Sequence, residues 1–306
     1  VSTNLFIPLQ KKLNPGDSIS LSFKWSYTIS AELEGREGKY PNKSWFIGLW
    51  YPQVAVYDDI SGWDENEYKE ILEFYNDFSD YDVQIKVPAE FVVFASGVLI
   101  NPHEVLAKKY LDKYREAAKS DSIISIISAE DRKAKGVTVK NKMNNWHYTS
   151  TSISDFAFGF SAQHLWDMTS LEVDAKTGKR ILIHSVYAAE TKSFPKAAEI
   201  CRKAIAWFGS EMPGVTYPFP VFTAFNGSSA VEYPMMTNLN DYAIGDRFFW
   251  TLTHEISHSW FPMLVGTNER KYAFMDGGMA QMIPMDFTTR EIRKTTKNYA
   301  ADAWNS

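Results

Sequence analysis

Residues 246–262 read Asp-Arg-Phe-Phe-Trp-Thr-Leu-Thr-His-Glu-Ile-Ser-His-Ser-Trp-Phe-Pro. Phe248, Phe249, Leu252, Ile256 and Trp260 recur at helical spacing from Asp246 until Pro262 stops the pattern, so the stretch is expected to be an amphipathic helix. Inside it, His254-Glu255-Ile256-Ser257-His258 matches HExxH. A spacing of four sets both imidazoles on one face, one turn apart, where they can grip a single tetrahedral zinc ion. Glu255 then stands beside them, placed to take a proton from an activated water. The chain has only six histidines, so composition alone rarely produces this pattern. The bland alternative is a helix whose two histidines are merely packed or solvated.

Working outward, a catalytic zinc needs a third protein ligand. The other histidines, His103, His147, His164 and His184, all precede the helix, so the ligand must be a carboxylate or be missing. Upstream, Asn226-Gly227-Ser228-Ser229-Ala230-Val231-Glu232-Tyr233-Pro234 reads as an open strand and turn carrying one carboxylate, Glu232. Before it, Pro195 to Phe208 suits a helix closed by Gly209, and Arg180 to Tyr187 a strand. This half mixes α and β.

The first half reads differently. Ile19, Leu21, Phe23, Trp25, Tyr27 and Ile29 alternate with polar or small residues, as do Tyr81, Val83, Ile85 and Val87, and both runs are expected to be strands. Phe91 to Leu99 and Trp146 to Ile153 add two more strands, and a helical insertion near 103–135 carries the stripe Leu106, Tyr110, Tyr114, Ala117. The expected class is α+β: an antiparallel β-rich domain over 1–165, then a mixed domain over 166–306.

Composition narrows the partners. With 32 Lys+Arg against 37 Asp+Glu and no long basic run, nothing suits a nucleic-acid partner. One cysteine, Cys201, excludes an intrachain disulfide and a cysteine-built zinc site. The longest apolar run, Phe91 to Ile100, contains Ser96 and Gly97 and is far below a membrane span, so no transmembrane segment is expected. The chain opens Val1-Ser2-Thr3-Asn4 without an initiator methionine, which suggests a processed product or a fragment. Compartment is left open.

The helix His254-Glu255-Ile256-Ser257-His258-Ser259-Trp260-Phe261, preceded by Glu232-Tyr233-Pro234, resembles the gluzincin aminopeptidases of the aminopeptidase N type. Tyr51-Pro52-Gln53-Val54-Ala55-Val56-Tyr57-Asp58 and the run from Tyr81 to Asn101-Pro102 resemble the later part of that family's N-terminal β domain. Residues from about 165 onward resemble the first part of its thermolysin-like catalytic domain. The resemblance thus implies a β domain incomplete at its start and a catalytic domain incomplete at its end. It implies removal of N-terminal residues from peptides by a zinc-activated water, with His254 and His258 as ligands and Glu255 as general base. Glu232 matches the glutamate of the family's GxMEN segment, which holds the substrate's free α-amino group. That segment departs from the pattern at Ser229, Val231 and Tyr233.

The family's third ligand is a glutamate 19 positions after the second histidine, in a pattern like Met-Asp-Glu-Gly; this chain has Met275-Asp276-Gly277-Gly278. Gly277 is therefore read as a vacant ligand position. If residues 272–283 formed one helix, each glycine would cost about 1 kcal/mol relative to alanine, so Gly277 looks like a replacement, natural or engineered. Asp276 is a weak substitute, because one residue along a helix turns the side chain by about 100°. Glu269 reads as a surface charge. The family's proton-donating tyrosine falls beyond Ser306, and Tyr299 comes too early to match. Three readings follow: a zinc aminopeptidase scaffold, an impaired pseudopeptidase that binds peptide N-termini without cutting, or an inactivated or truncated version of an active parent.

Overall fold

The computed structural model describes residues 3–29, 35–41, 43–69, 73–242 and 246–295. Tyr299, in the terminal stretch, lies outside the described residues. The chain is α+β. Its first half contains β1 (Glu37–Tyr40), β2 (Ser44–Ile47), the small hairpin β3 (Tyr57–Asp58) and β4 (Gly62–Trp63), then β5 (Ser79–Pro88), β6 (Val92–Ala95) and β7 (Val98–Leu99). After α1 (Pro102–Val105), α2 (Lys108–Ala117), β8 (Ile124–Ile127) and α3 (Ala129–Ala134), β9 (Met143–Ile153) and β10 (Phe158–Ser161) complete it. The strands pair as an antiparallel four-stranded sheet, β1-β2-β10-β6, and an antiparallel three-stranded sheet, β5-β9-β7.

The second half supplies β11 (Leu165–Asp174), β12 (Lys179–Tyr187), α4 (Ala197–Ser210), β13 (Val221–Asn226), β14 (Ala230–Tyr233) and β15 (Met236–Leu239). The helices α5 (Arg247–Ser257), α6 (Gly277–Met282) and α7 (Met285–Thr295) follow. Its sheet has the order β14-β15-β13-β12-β11-β8, parallel at β12–β13 and β13–β15 and antiparallel elsewhere. The edge strand β8 comes from the helical insertion. Every residue of β13 is buried, as a central parallel strand covered on both faces requires.

An aromatic seam joins the halves. Phe46 on β2 lies 5.9 Å from Phe225 on β13 and 5.6 Å from Tyr233 on β14, and Phe94 on β6 meets Trp166 on β11 edge to face at 5.1 Å. At Gly159 on β10 a Cβ would sit 2.7 Å from the Phe225 ring, so only glycine allows this approach.

Two expectations fail. Residues 19–29 alternate as anticipated but form no strand: Leu21, Phe23, Trp25 and Tyr27 are 45–49% exposed. Alternation marks a face to be buried, while a strand also needs a ladder partner, and none pairs with this run among the described residues. Residues 272–283 are likewise not one helix. A 3-10 turn, Ala273–Met275, precedes a break at Asp276 (φ −111°, ψ −98°), and α6 starts at Gly277. Both glycines thus stand in the first turn of a helix, outside the interior positions where the penalty of about 1 kcal/mol applies.

Candidate metal centre

The HExxH stretch forms α5 and the turn after it. Phe248, Leu252 and Ile256 bury one stripe of the helix. Beyond its end, the Trp260 indole donates to the Val215 carbonyl at 2.8 Å and packs on Phe208 and Tyr217 at 5.8 and 5.5 Å. Ser257 Oγ donates to the Ala280 carbonyl at 2.8 Å, tying α5 to α6. The apolar stripe therefore packs the side of the helix away from the histidines, while α6 adjoins the side that carries His254.

His254 and His258 stand with ring centroids 4.7 Å apart, planes perpendicular, and their Nε2 atoms 3.1 Å from one another. On the other side of His258, Nδ1 lies 3.2 Å from the Phe261 carbonyl and 2.7 Å from Asp276 Oδ1, with the Asp276 side chain 5% exposed. Both neighbours are acceptors, so Nδ1 carries the hydrogen and Nε2 is left to face His254. Asp276 is thus the charge paired with His258, and the Phe261 carbonyl takes the hydrogen bond from Nδ1. Sequence reasoning weighed Asp276 only as a direct ligand, because the break that swings it towards Nδ1 has no signature in the sequence.

Carboxylates crowd this pair. Glu255 is buried, and its Oε2 has no hydrogen-bond partner. Ligand atoms of Glu232 on β14, Glu255 and His258 all lie within 4.8 Å of one another, as do those of Glu73, Glu269 and Asp276. Glu269 is therefore not the surface charge expected from sequence. Arg36, just before β1, pairs with Glu73 and, at 3.5 Å, with Glu232, and its guanidinium lies over the Phe74 ring at 4.6 Å. Arg36 and Glu73 come from the first half of the chain, far from Glu232 in sequence, so no local pattern announces them.

Burial pushes the Glu255 carboxyl up to about 8, an effect that His258 partly offsets. Burial lifts Glu73 to about 7 and Glu269 to about 10, each raised further by neighbouring carboxylates. Glu232 is held below its usual range, because Arg36 and His258 outweigh its burial. For His258, burial alone would lower the value, but Asp276, Glu232 and Glu255 carry it up to about 10. Burial and the charge of His258 take His254 down to about 4. The carboxylates of Glu73, Glu232, Glu255, Glu269 and Asp276 around two imidazoles and one guanidinium make a pocket electrostatically suited to a cation.

Position 277 contributes no donor, and a Cβ built there meets nothing within 4 Å. A side chain at this position would therefore enter open space. Two convergent imidazole nitrogens fit a zinc ion in donor chemistry, with the unpartnered buried oxygen of Glu255 beside them, and the third protein ligand must come from elsewhere.

Among solved structures, the chain is similar to M1 zinc metallopeptidases. A mutant M1 zinc metallopeptidase from Deinococcus radiodurans matches with a TM-score of 0.43 and 14% identity over 67% of this chain and 39% of that one. The same protein bound to a Tyr-Ser-Ala substrate gives 0.42 and 15% over the same shares. A two-domain M1 zinc metallopeptidase mutant bound to L-arginine gives 0.43 and 13%, again over 67% and 39%. The chain therefore spans about two fifths of the length of these proteins. No protein-family model and no curated protein matches the sequence. No described helix is long and apolar enough to cross a membrane.

Proposed function

We propose that this chain carries the zinc site and the amine-binding corner of an aminopeptidase. The observation that carries the reading is the 3.1 Å approach of His254 Nε2 to His258 Nε2, one helical turn apart, beside the unpartnered oxygen of Glu255. His254 and His258 would hold the zinc. When bound, zinc supplies Lewis acidity that makes a water nucleophilic and polarises a peptide carbonyl. Glu255 accepts the water's proton. A base must be ionised, and a dication held by the histidine pair would lower its carboxyl from about 8 into the working range. The Phe261 carbonyl and Asp276, both acceptors beside Nδ1, keep His258 in the tautomer that offers Nε2.

Glu232 and Glu73 form an anionic corner for the ammonium of a peptide's free N-terminus, the charge that Arg36 balances when no peptide is present. On this reading the β-rich half, 1–165, lends Arg36 and Glu73 to a site built on the mixed half, 166–306. The pseudopeptidase reading is favoured by one observation, the lack of any side chain at Gly277. The test is incubation of zinc-loaded protein with a peptide and its N-acetylated twin, with cleavage and binding followed by mass spectrometry and fluorescence anisotropy. Cleavage of the free peptide alone supports the enzyme, and binding of the free peptide without cleavage supports the pseudopeptidase. Equal treatment of both peptides overturns the amine-binding corner.

A further inference from the structure

Gly277 leaves the histidine pair without an anionic ligand at the position where the resemblance puts one, and the three-dimensional arrangement supplies a replacement. We propose that in this chain Glu232 is the third ligand of the His254–His258 metal site. The inference rests on the zinc reading above and deepens it.

The donor set argues for it first. Two neutral imidazoles leave a dication uncompensated, and catalytic zinc sites with two histidines take a carboxylate as the third protein ligand. Glu232 is one of the two carboxylates whose oxygens lie within 4.8 Å of the His258 donor and of each other. Donors around a tetrahedral zinc at about 2.0–2.2 Å stand roughly 3.5 Å apart, so closing the set asks the Glu232 carboxylate to swing towards His254, which stands outside that 4.8 Å group. That is within reach of a glutamate rotamer.

The other carboxylates are less well placed. Asp276 touches Nδ1 of His258, the ring nitrogen opposite the one that faces His254. Glu73 and Glu269 form their cluster with Asp276. Glu255 is the neighbour of His254 on the helix and is the base in the reading above. Glu232 also sits on a firm support. Its strand, β14, is paired to β15 with Glu232 opposite Thr237, and the Thr237 hydroxyl donates to the Val231 carbonyl at 2.9 Å. A ligand held on a paired strand is positioned before the metal arrives. The ion pair with Arg36 is compatible with this role, because a carboxylate can turn one oxygen to a metal and the other to a guanidinium or an ammonium.

The test is zinc titration by calorimetry, with the visible spectrum of the cobalt(II)-loaded protein as a second readout. It uses the unmodified chain, E232Q, E232D, H258A and the double variant E232Q/G277E. Altering groups that only touch ligands changes metal affinity about 10–100-fold, so E232Q should weaken zinc by more than about 100-fold and alter the cobalt bands. E232D keeps the anion beside Arg36 but retracts it by one methylene, and should weaken zinc by at least about 10-fold. E232Q/G277E should regain the lost affinity, which a misfolded protein would not. Zinc affinity unchanged in E232Q or E232D, with H258A abolishing binding, overturns the proposal and leaves the histidine site standing. Affinity unchanged in H258A as well overturns both.

Discussion

Replacing Asp276 by asparagine probes how the second turn serves the first. The Asp276 carboxylate lies 2.7 Å from His258 Nδ1 with both side chains buried, and it is the largest influence raising His258, which reaches about 10 despite its burial. At neutral pH the metal-free imidazole is therefore a cation, and zinc can bind Nε2 only by displacing a proton. Each pH unit below a ligand's pKa lowers metal affinity about tenfold, so His258 by itself should raise zinc affinity about 100-fold between pH 7 and 9, and Glu255, at about 8, ionises over the same interval. His254, at about 4, is already neutral and adds nothing to this slope. Asp276→Asn preserves size and a polar contact but removes the charge. His258 then falls, with only Glu232 and Glu255 left to raise it, and the slope flattens over the same interval. The stability effect has a defined sign. A raised histidine stabilises the metal-free fold fully below about pH 6.5, and that contribution is lost as pH rises towards 10. The variant's deficit should thus shrink in alkali. Calorimetric titrations at pH 7, 8 and 9, repeated in two buffers of different ionisation enthalpy, read affinity and proton release together. Identical pH slopes for the two proteins would refute the assignment of Asp276 as the partner of His258.

Three further outcomes are expected. Glu255→Gln should keep zinc, because Glu255 is not assigned as a ligand, and should reduce any hydrolysis by about 10²–10⁴-fold; metal analysis beside peptide cleavage checks it, and joint loss of zinc and activity contradicts it. His164 and His184 are buried and held down at about 3, chiefly by burial, so each stays neutral in the fold while ionising near 6.5 in the unfolded chain. Their stabilisation is complete above pH 6.5 and declines below it, by about 1.4 kcal/mol each at pH 5.5, to be seen in urea midpoints at pH 7.5 and 5.5. Trp260→Ala empties a site between Phe208 and Tyr217 and should cost about 3–5 kcal/mol, read from the same denaturation curves.

Periodicity carried most of the second half. The helix from Asp246, the helix expected from Pro195 to Phe208, which starts at Ala197 and runs through Gly209 to Ser210, and the strand at 180–187 are all local patterns. It failed at 19–29 because a strand also needs a neighbour, and no sequence window contains it. At 272–283 the apparent helix breaks at Asp276, whose carboxylate is held against His258 on another helix, a contact no local propensity anticipates. The site divides in the same way. His254, Glu255 and His258 share one turn and one motif, so they were readable together. Arg36 and Glu73 join them only because the sheet of the first half packs on that of the second through Phe46, Phe94, Phe225 and Tyr233, and Glu269 comes from the stretch between α5 and α6. Their chemistry is that of ordinary surface charges until that packing buries them.

The claim on which everything else depends is that the facing Nε2 atoms of His254 and His258 hold a metal ion. Native mass spectrometry of the chain and of H254A and H258A, after equilibration with zinc and removal of the excess, counts ions per chain directly. The account predicts one zinc on the unmodified chain and none on either variant. Equal zinc content in all three proteins would contradict it.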